Sequence, residues 1–244
     1  MALFGGSNPM MKEEKFTNIL DAPAMSEGIM TVSGAVNKTL TLMGLLMLTA
    51  GISYLMPNMI FLWVGIIGGL VAVIWSGFQP HRSSYLAPAY ALFEGLALGT
   101  ISFMYASMFD GIVFHAVLST LGILGSMLFI YKSKIIEVTD KFRTGLAMAV
   151  GGIFFMYLIN MVLSLFGVKI PFLHGSSPMA IGINVVVIVV ATLSLLVDFD
   201  NIEKGAKHNA PKYMEWYSAM GLIVTLVWLY LEMLRLLSKV ASRD

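Results

Sequence analysis

Long uncharged apolar runs alternate with short polar breaks along this chain, and that pattern predicts helices rather than strands. From Thr39 to Pro80 there is no Asp, Glu, Lys or Arg at all. Pro57-Asn58 divides this run into two helices, Thr39–Leu55 and Met59–Phe78. Gln79 to Ser84 form a polar turn, and Tyr85–Phe109 makes a third span with one acid, Glu94. Asp110-Gly111 breaks the chain before a fourth span, Ile112–Tyr131, which carries His115. The segment from Lys132 to Arg143 is a charged loop, and Thr144–Phe166 is a fifth span holding Asn160. A Pro/Gly/Ser loop from Lys169 to Pro178 leads to the sixth span, Met179–Val197, which runs into Asp198-Phe199-Asp200. Asn201 to Lys212 is polar, and Tyr213 opens a last helix that reaches Leu237. Each run is close to the ~20 residues that cross a bilayer as a helix. The expectation is an all-α membrane protein of seven transmembrane helices, with a polar tail over residues 1–33 and one membrane domain over 34–240.

Composition supports this reading and removes others. Of 244 residues 58% are hydrophobic and 12% charged, against ~25% charged in a soluble domain. Seven spans need roughly 140 apolar residues, which the chain supplies, and a soluble globular enzyme is excluded. A net charge of +1 without a basic cluster argues against a nucleic-acid partner. The absence of Cys excludes disulfides, thiolate metal sites and Cys nucleophiles. Lys12, Glu13, Glu14, Lys15, Asp21 and Glu27 interrupt the N-terminal 33 residues, so no cleaved signal peptide is expected there.

The basic residues orient the spans. With the N-terminus inside, Lys12, Lys15, Lys38, Arg82, Lys132, Lys134, Lys141, Arg143, Lys204, Lys207 and Lys212 are cytoplasmic, and Lys169 lies outside. Arg235, Lys239 and Arg243 dissent, since they would lie outside if the last segment crosses fully. Either that segment crosses fully or it is re-entrant. The 25 residues from Tyr213 to Leu237 favour full crossing.

No His-Glu-x-x-His, phosphate-binding Gly-rich loop or Gly-x-Ser-x-Gly occurs, and the four His fall in four separate segments. No enzyme, cofactor or metal site is expected. Gly65-x-x-x-Gly69 and Gly95-x-x-x-Gly99 fit close packing of helix backbones. The informative residues are acids in or beside the spans, because an ionised carboxylate in hydrocarbon costs at least ~2.5 kcal/mol unless paired, protonated or hydrated. Glu94 lies near mid-depth. Asp198 ends an apolar run, where an interfacial cap is the alternative, and Asp200 reads as a solvated loop acid. Glu232 precedes Arg235 by three residues, so the two could pair on one helical face. Two carboxyls at one site cannot both ionise freely, and such a pair can act as a pH-gated latch. Asp198 and Glu232 can meet only if the sixth helix continues past Asp198 and Tyr213–Gly221 lies partly along the interface.

Several stretches resemble the Bax inhibitor-1 family, also called the transmembrane Bax inhibitor motif family, in its bacterial YccA-like branch. They are Met30-Thr31-Val32 with Asn37-Lys38-Thr39, and Tyr90 to Gly99 around Glu94. Asp198-Phe199-Asp200-Asn201-Ile202-Glu203, Ala210 to Tyr217, and Leu229 to Leu237 around Glu232 complete the match. The resemblance implies seven helices with the last one central in a ring of six. It also implies a bacterial inner-membrane protein that acts as a pH-sensitive cation (Ca²⁺) leak, gated by a carboxylate pair on the last two helices. Asp198 matches the first of that pair and Glu232 the second, with Glu in place of Asp. Glu94 and Asp200 are further candidates for a polar interior, and Arg235 for the counter-charge. Arg82 lies several residues later than the arginine some relatives place after the second helix. The implied partners are the lipid bilayer and Ca²⁺ or H⁺. A second implied role is a non-conducting modulator of a membrane-anchored AAA protease, gripped by the polar N-terminal tail.

Overall fold

The structure, a computed structural model, describes residues 28–167 and 175–243. The tail with Lys12 and Lys15, and the loop with Lys169 and His174, lie outside the described residues. Among those described there are seven helices long and apolar enough to cross a membrane. They are α1 (Val32–Leu55), α2 (Met59–Phe78), α3 (Ser83–Ala106), α4 (Ile112–Lys132), α5 (Asp140–Leu165), α6 (Pro178–Lys207) and α7 (Met214–Ala241). A short 3₁₀ turn, Pro80–Arg82, leads into α3. The chain is thus an all-α, multi-pass membrane protein.

Local chemistry sets the helix ends. The side chains of Thr31, Asn58, Thr139 and Ser177 each accept a hydrogen bond from a first-turn N–H of α1, α2, α5 and α6 respectively. Gly111, at φ 71°, supplies the left-handed residue that enters α4. Several helices outrun their charge-free stretches, α5 among them, which begins at Asp140 rather than Thr144. Thr31 lets α1 begin at Val32 rather than Thr39, and α6 continues to Lys207 rather than ending at Val197. The extra turns of α6 are held by (i, i+4) pairs, Lys204 with Asp200 and Lys207 with Glu203. Asp200 is therefore a helical, ion-paired residue and not a solvated loop acid.

Helix α7 packs against α1, α3, α4 and α6, whereas α2 leans on α3 and α5 on α6. Four helices thus make most of the wall around the last helix. Along α7 the side chains of Ala219, Ile223, Leu229, Glu232 and Leu234 are almost wholly enclosed. Helix α5 has no buried residue and turns Met148, Phe154, Phe155 and Ile159 outward, as a lipid-facing helix does. Since α7 runs unbroken for 28 residues, about 42 Å at ~1.5 Å per residue, it is long enough to cross the ~30 Å hydrocarbon layer. Its C-terminal end, with Arg235 and Lys239, then lies opposite the end that carries Lys38, Arg82, Lys132, Arg143 and Lys212.

Small residues make the tightest contacts. A Cβ added to Gly99 would lie 2.1 Å from the Ala50 carbonyl oxygen, and one on Gly95 would lie 2.4 Å from that of Leu46. On the other side of α3, a Cβ on Gly65 would meet the Ala97 N and Phe93 O at 2.6 Å. Gly95 and Gly99 thus bring the α3 backbone against α1, and Gly65 brings that of α2 against α3. Gly99→Ala should lower the thermal midpoint in detergent, corresponding to a loss of roughly 1–3 kcal/mol. Gly51→Ala, with nothing within 4 Å of its added Cβ, should leave the midpoint unchanged. Equal midpoints for the two variants would contradict the close approach.

Candidate functional site

The most enclosed charge is Glu232 on α7, at 1% relative exposure. Its Oε1 accepts from Arg235 Nη1 at 2.7 Å and from the Tyr157 hydroxyl at 3.0 Å. Its Oε2 accepts from Asn184 Nδ2 at 2.8 Å, and the same amide reaches the Glu232 carbonyl at 3.3 Å. The guanidinium of Arg235 also lies 5.1 Å from the Tyr157 ring centre, within cation–π range. One turn further on, Lys239 Nζ donates to the Ala180 carbonyl at 3.1 Å. The cluster therefore ties α7 to α5 through Tyr157 and to α6 through Asn184. The (i, i+3) pair expected of Glu232 and Arg235 is present. The sequence reading missed its cross-helix partners: Asn184 is an amide inside an apolar run, a signal that was available, whereas Tyr157 is one aromatic among many.

Asp198 lies elsewhere. Asn184, which touches Glu232, is fourteen residues before Asp198 on the same helix, about 21 Å along its axis. The polar group facing Asp198 is the Thr225 hydroxyl, seven residues before Glu232 on α7 and so about 10 Å away along that helix. By either route the separation exceeds hydrogen-bond reach, and the two carboxyls do not share a proton. The extension of α6 past Asp198 is met, but α7 is helical from Met214 and has no separate interfacial segment to draw Glu232 inward. Asp198 Oδ2 is buried and has no hydrogen-bond partner. A buried unpartnered oxygen is expensive in any protein interior.

Glu94 occupies a third position. Its Oε2 would lie 2.6 Å from a Cβ on Gly69, so the carboxylate fills the notch that this glycine leaves between α2 and α3, away from the Glu232 cluster. Asp200 pairs with Arg143 of α5 and with Lys204 at 2.9 Å. Tyr131 donates to Glu203 beside it, and Arg143 also donates to Asn201 Oδ1 at 2.7 Å. This network fastens α4, α5 and α6 at the basic end of the bundle.

Another buried acid had no local signal in the sequence. Glu215, in the first turn of α7, is 2% exposed. Its Oε1 accepts from the backbone N–H and the hydroxyl of Thr31, each at 3.0 Å and 184 residues away. The carboxylate therefore sits at the N-terminus of α1, where the helix dipole favours negative charge. Gly34 makes room, since a Cβ there would lie 1.9 Å from Oε1. Two backbone hydrogen bonds, Met30 N to Ala210 O at 2.8 Å and Lys212 N to Gly28 O at 3.1 Å, strap Gly28–Thr31 to the α6–α7 turn.

Between α1, α3, α4 and α7 lies a cavity of about 460 Å³. Leu46, Met47, Leu98, Val117, Leu226 and Val227 line it, and it is mainly apolar. The hydrogen bond between Ser102 Oγ and the Tyr230 hydroxyl, 2.6 Å long, lies at its wall.

A comparison with protein families matches a model described as Bax inhibitor 1 like to residues 8–242. A search of curated proteins returns no match.

Removing Arg235 should leave a buried carboxylate unpaired, at a cost of about 3–5 kcal/mol. Arg235→Met alone should therefore lower the detergent melting midpoint sharply, while Arg235→Met with Glu232→Gln should recover much of the loss. A double variant as unstable as the single one would show that packing, and not the ion pair, holds this end.

Proposed function

The chain belongs to the Bax inhibitor 1 like family, and on that premise we propose that this multi-pass membrane protein is a pH-sensitive cation leak, with Ca²⁺ as the ion, gated by Asp198 and Glu232 from two separate positions. The observation that supports this reading best is the buried, unpartnered Oδ2 of Asp198 between α6 and α7. Such an atom needs a proton or a cation. Asp198 is thus the place where the two compete. Glu232 has the other half of the task. Bound by Arg235, Tyr157 and Asn184, it holds α5, α6 and α7 together and keeps the leak closed. With Asp198 protonated, α7 rests against a neutral side chain. Once it ionises, the carboxylate attracts a cation and loosens the α6–α7 contact.

The orientation in this reading puts the basic end, with Lys38, Arg82, Arg143 and Lys212, on the cytoplasmic side of a bacterial inner membrane. The competing reading, a non-conducting modulator of a membrane-anchored AAA protease, needs no ion path. One experiment separates the two. Purified protein in proteoliposomes should pass Ca²⁺ at a rate that rises with pH across the physiological range. Asp198→Asn should reduce the flux and flatten its pH profile, whereas Glu232→Gln should raise the basal flux by weakening the latch. No flux in any sample would exclude the leak and favour the competing reading. Flux indifferent to both substitutions would keep the leak and discard this gate.

A further inference from the structure

A second, polar pocket lies at the basic end, between the starts of α1, α3 and α7. It has a volume of about 260 Å³ and is lined by Lys38, Ser84, Lys212, Tyr213, Glu215 and Trp216. We propose that this pocket binds the phosphate of an anionic phospholipid headgroup.

Charge is the first argument. The other cations near this end are partly used up inside the protein: Arg143 and Lys204 pair with Asp200, and Lys207 with Glu203. Neither Lys38 nor Lys212 takes part in any ion pair among the described residues. Among the described residues the acid in the pocket is Glu215, whose Oε1 already accepts two hydrogen bonds from Thr31. Two lysines against one carboxylate leave the pocket net positive. Ser84 and Tyr213 add hydroxyl donors to the same lining.

Depth is the second argument. Lys38 is six residues beyond Val32, the first residue of α1, about 9 Å along the helix. That is inside the layer where a lysine stem follows the apolar surface and its head turns back to the interface. Its Nζ lies 4.5 Å from the centre of the Trp216 ring. A tryptophan at this level is an interfacial anchor, and the cation–π contact holds the ammonium over it. Basic pockets between membrane helices at the level of the head groups are the kind that takes anionic lipid phosphates.

The position also gives the site a consequence. The same lysine–tryptophan contact joins α1 to α7, and Lys212 packs on Gly28 of the strap. A bound headgroup would bridge the strap, the first helix and the last helix.

Native mass spectrometry of the intact detergent-solubilised protein, titrated with phosphatidylglycerol or phosphatidylcholine, tests this. The wild type should retain one phosphatidylglycerol in preference to phosphatidylcholine. Lys38→Gln with Lys212→Gln should weaken that binding roughly 30-fold, from ~1 kcal/mol for each lysine near the phosphate. Lys132→Gln with Lys134→Gln makes the same charge change at the same end and should leave binding near the wild-type value. No preference in the unmodified protein would overturn the proposal, whatever the variants do. An equal loss in both double variants would reduce the effect to general charge attraction and overturn it too. Displacement of the lipid by millimolar inorganic phosphate would reassign the pocket to a free anion, against the lipid.

Discussion

Within hydrocarbon a charge must be neutralised by other protein groups, because no water is there to do it. That requirement organises this protein around α7. Glu232, almost fully enclosed, draws Arg235 from its own helix, Tyr157 from α5 and Asn184 from α6. Helix α5, which buries no residue of its own, is thereby connected to the last helix by a polar contact and not by apolar packing. At the opposite end Glu215 applies the same rule to the start of α1.

The two acids divide the labour of fixing α7. Glu215 and the backbone strap hold its first turn to α1, and Glu232 holds its last turns to α5 and α6. Between them the helix is packed by small and aliphatic side chains such as Ala219, Ile223 and Leu229, with Asp198 set against its middle at Thr225. Asp198 differs from the other two because it has a buried oxygen without a hydrogen-bond partner. In the proposed function, this incompletely satisfied middle is where the proton-dependent change takes place. The large cavity beside α1 and α4 leaves apolar space next to α7.

Much of this was legible from the chain itself. The seven apolar runs, their breaks at Pro57-Asn58 and Asp110-Gly111, and the glycine pairs at Gly65/Gly69 and Gly95/Gly99 correspond to helices and contacts in the structure. The Glu232–Arg235 pair followed from a spacing of three. Helix ends were harder. Reading spans as charge-free runs cut α1 at Thr39 and α6 at Val197, since the charges beyond those points are capped or paired in ways composition does not reveal. Depth also misled. Asp198 and Glu232 sit on adjacent antiparallel helices, but their heights differ, and only three-dimensional register shows it. Glu215 could not be found by local reasoning, because its partner Thr31 is 184 residues away.

The separation of Asp198 from Glu232 is the claim on which the two-position gate stands, and a chain with no native Cys allows it to be measured directly. Oxidative cross-linking in the membrane should join Asp198→Cys to Thr225→Cys, which face one another, and Asn184→Cys to Glu232→Cys. The pair Asp198→Cys with Glu232→Cys should remain unlinked. Efficient cross-linking of that last pair would contradict the account and restore a shared carboxylate site.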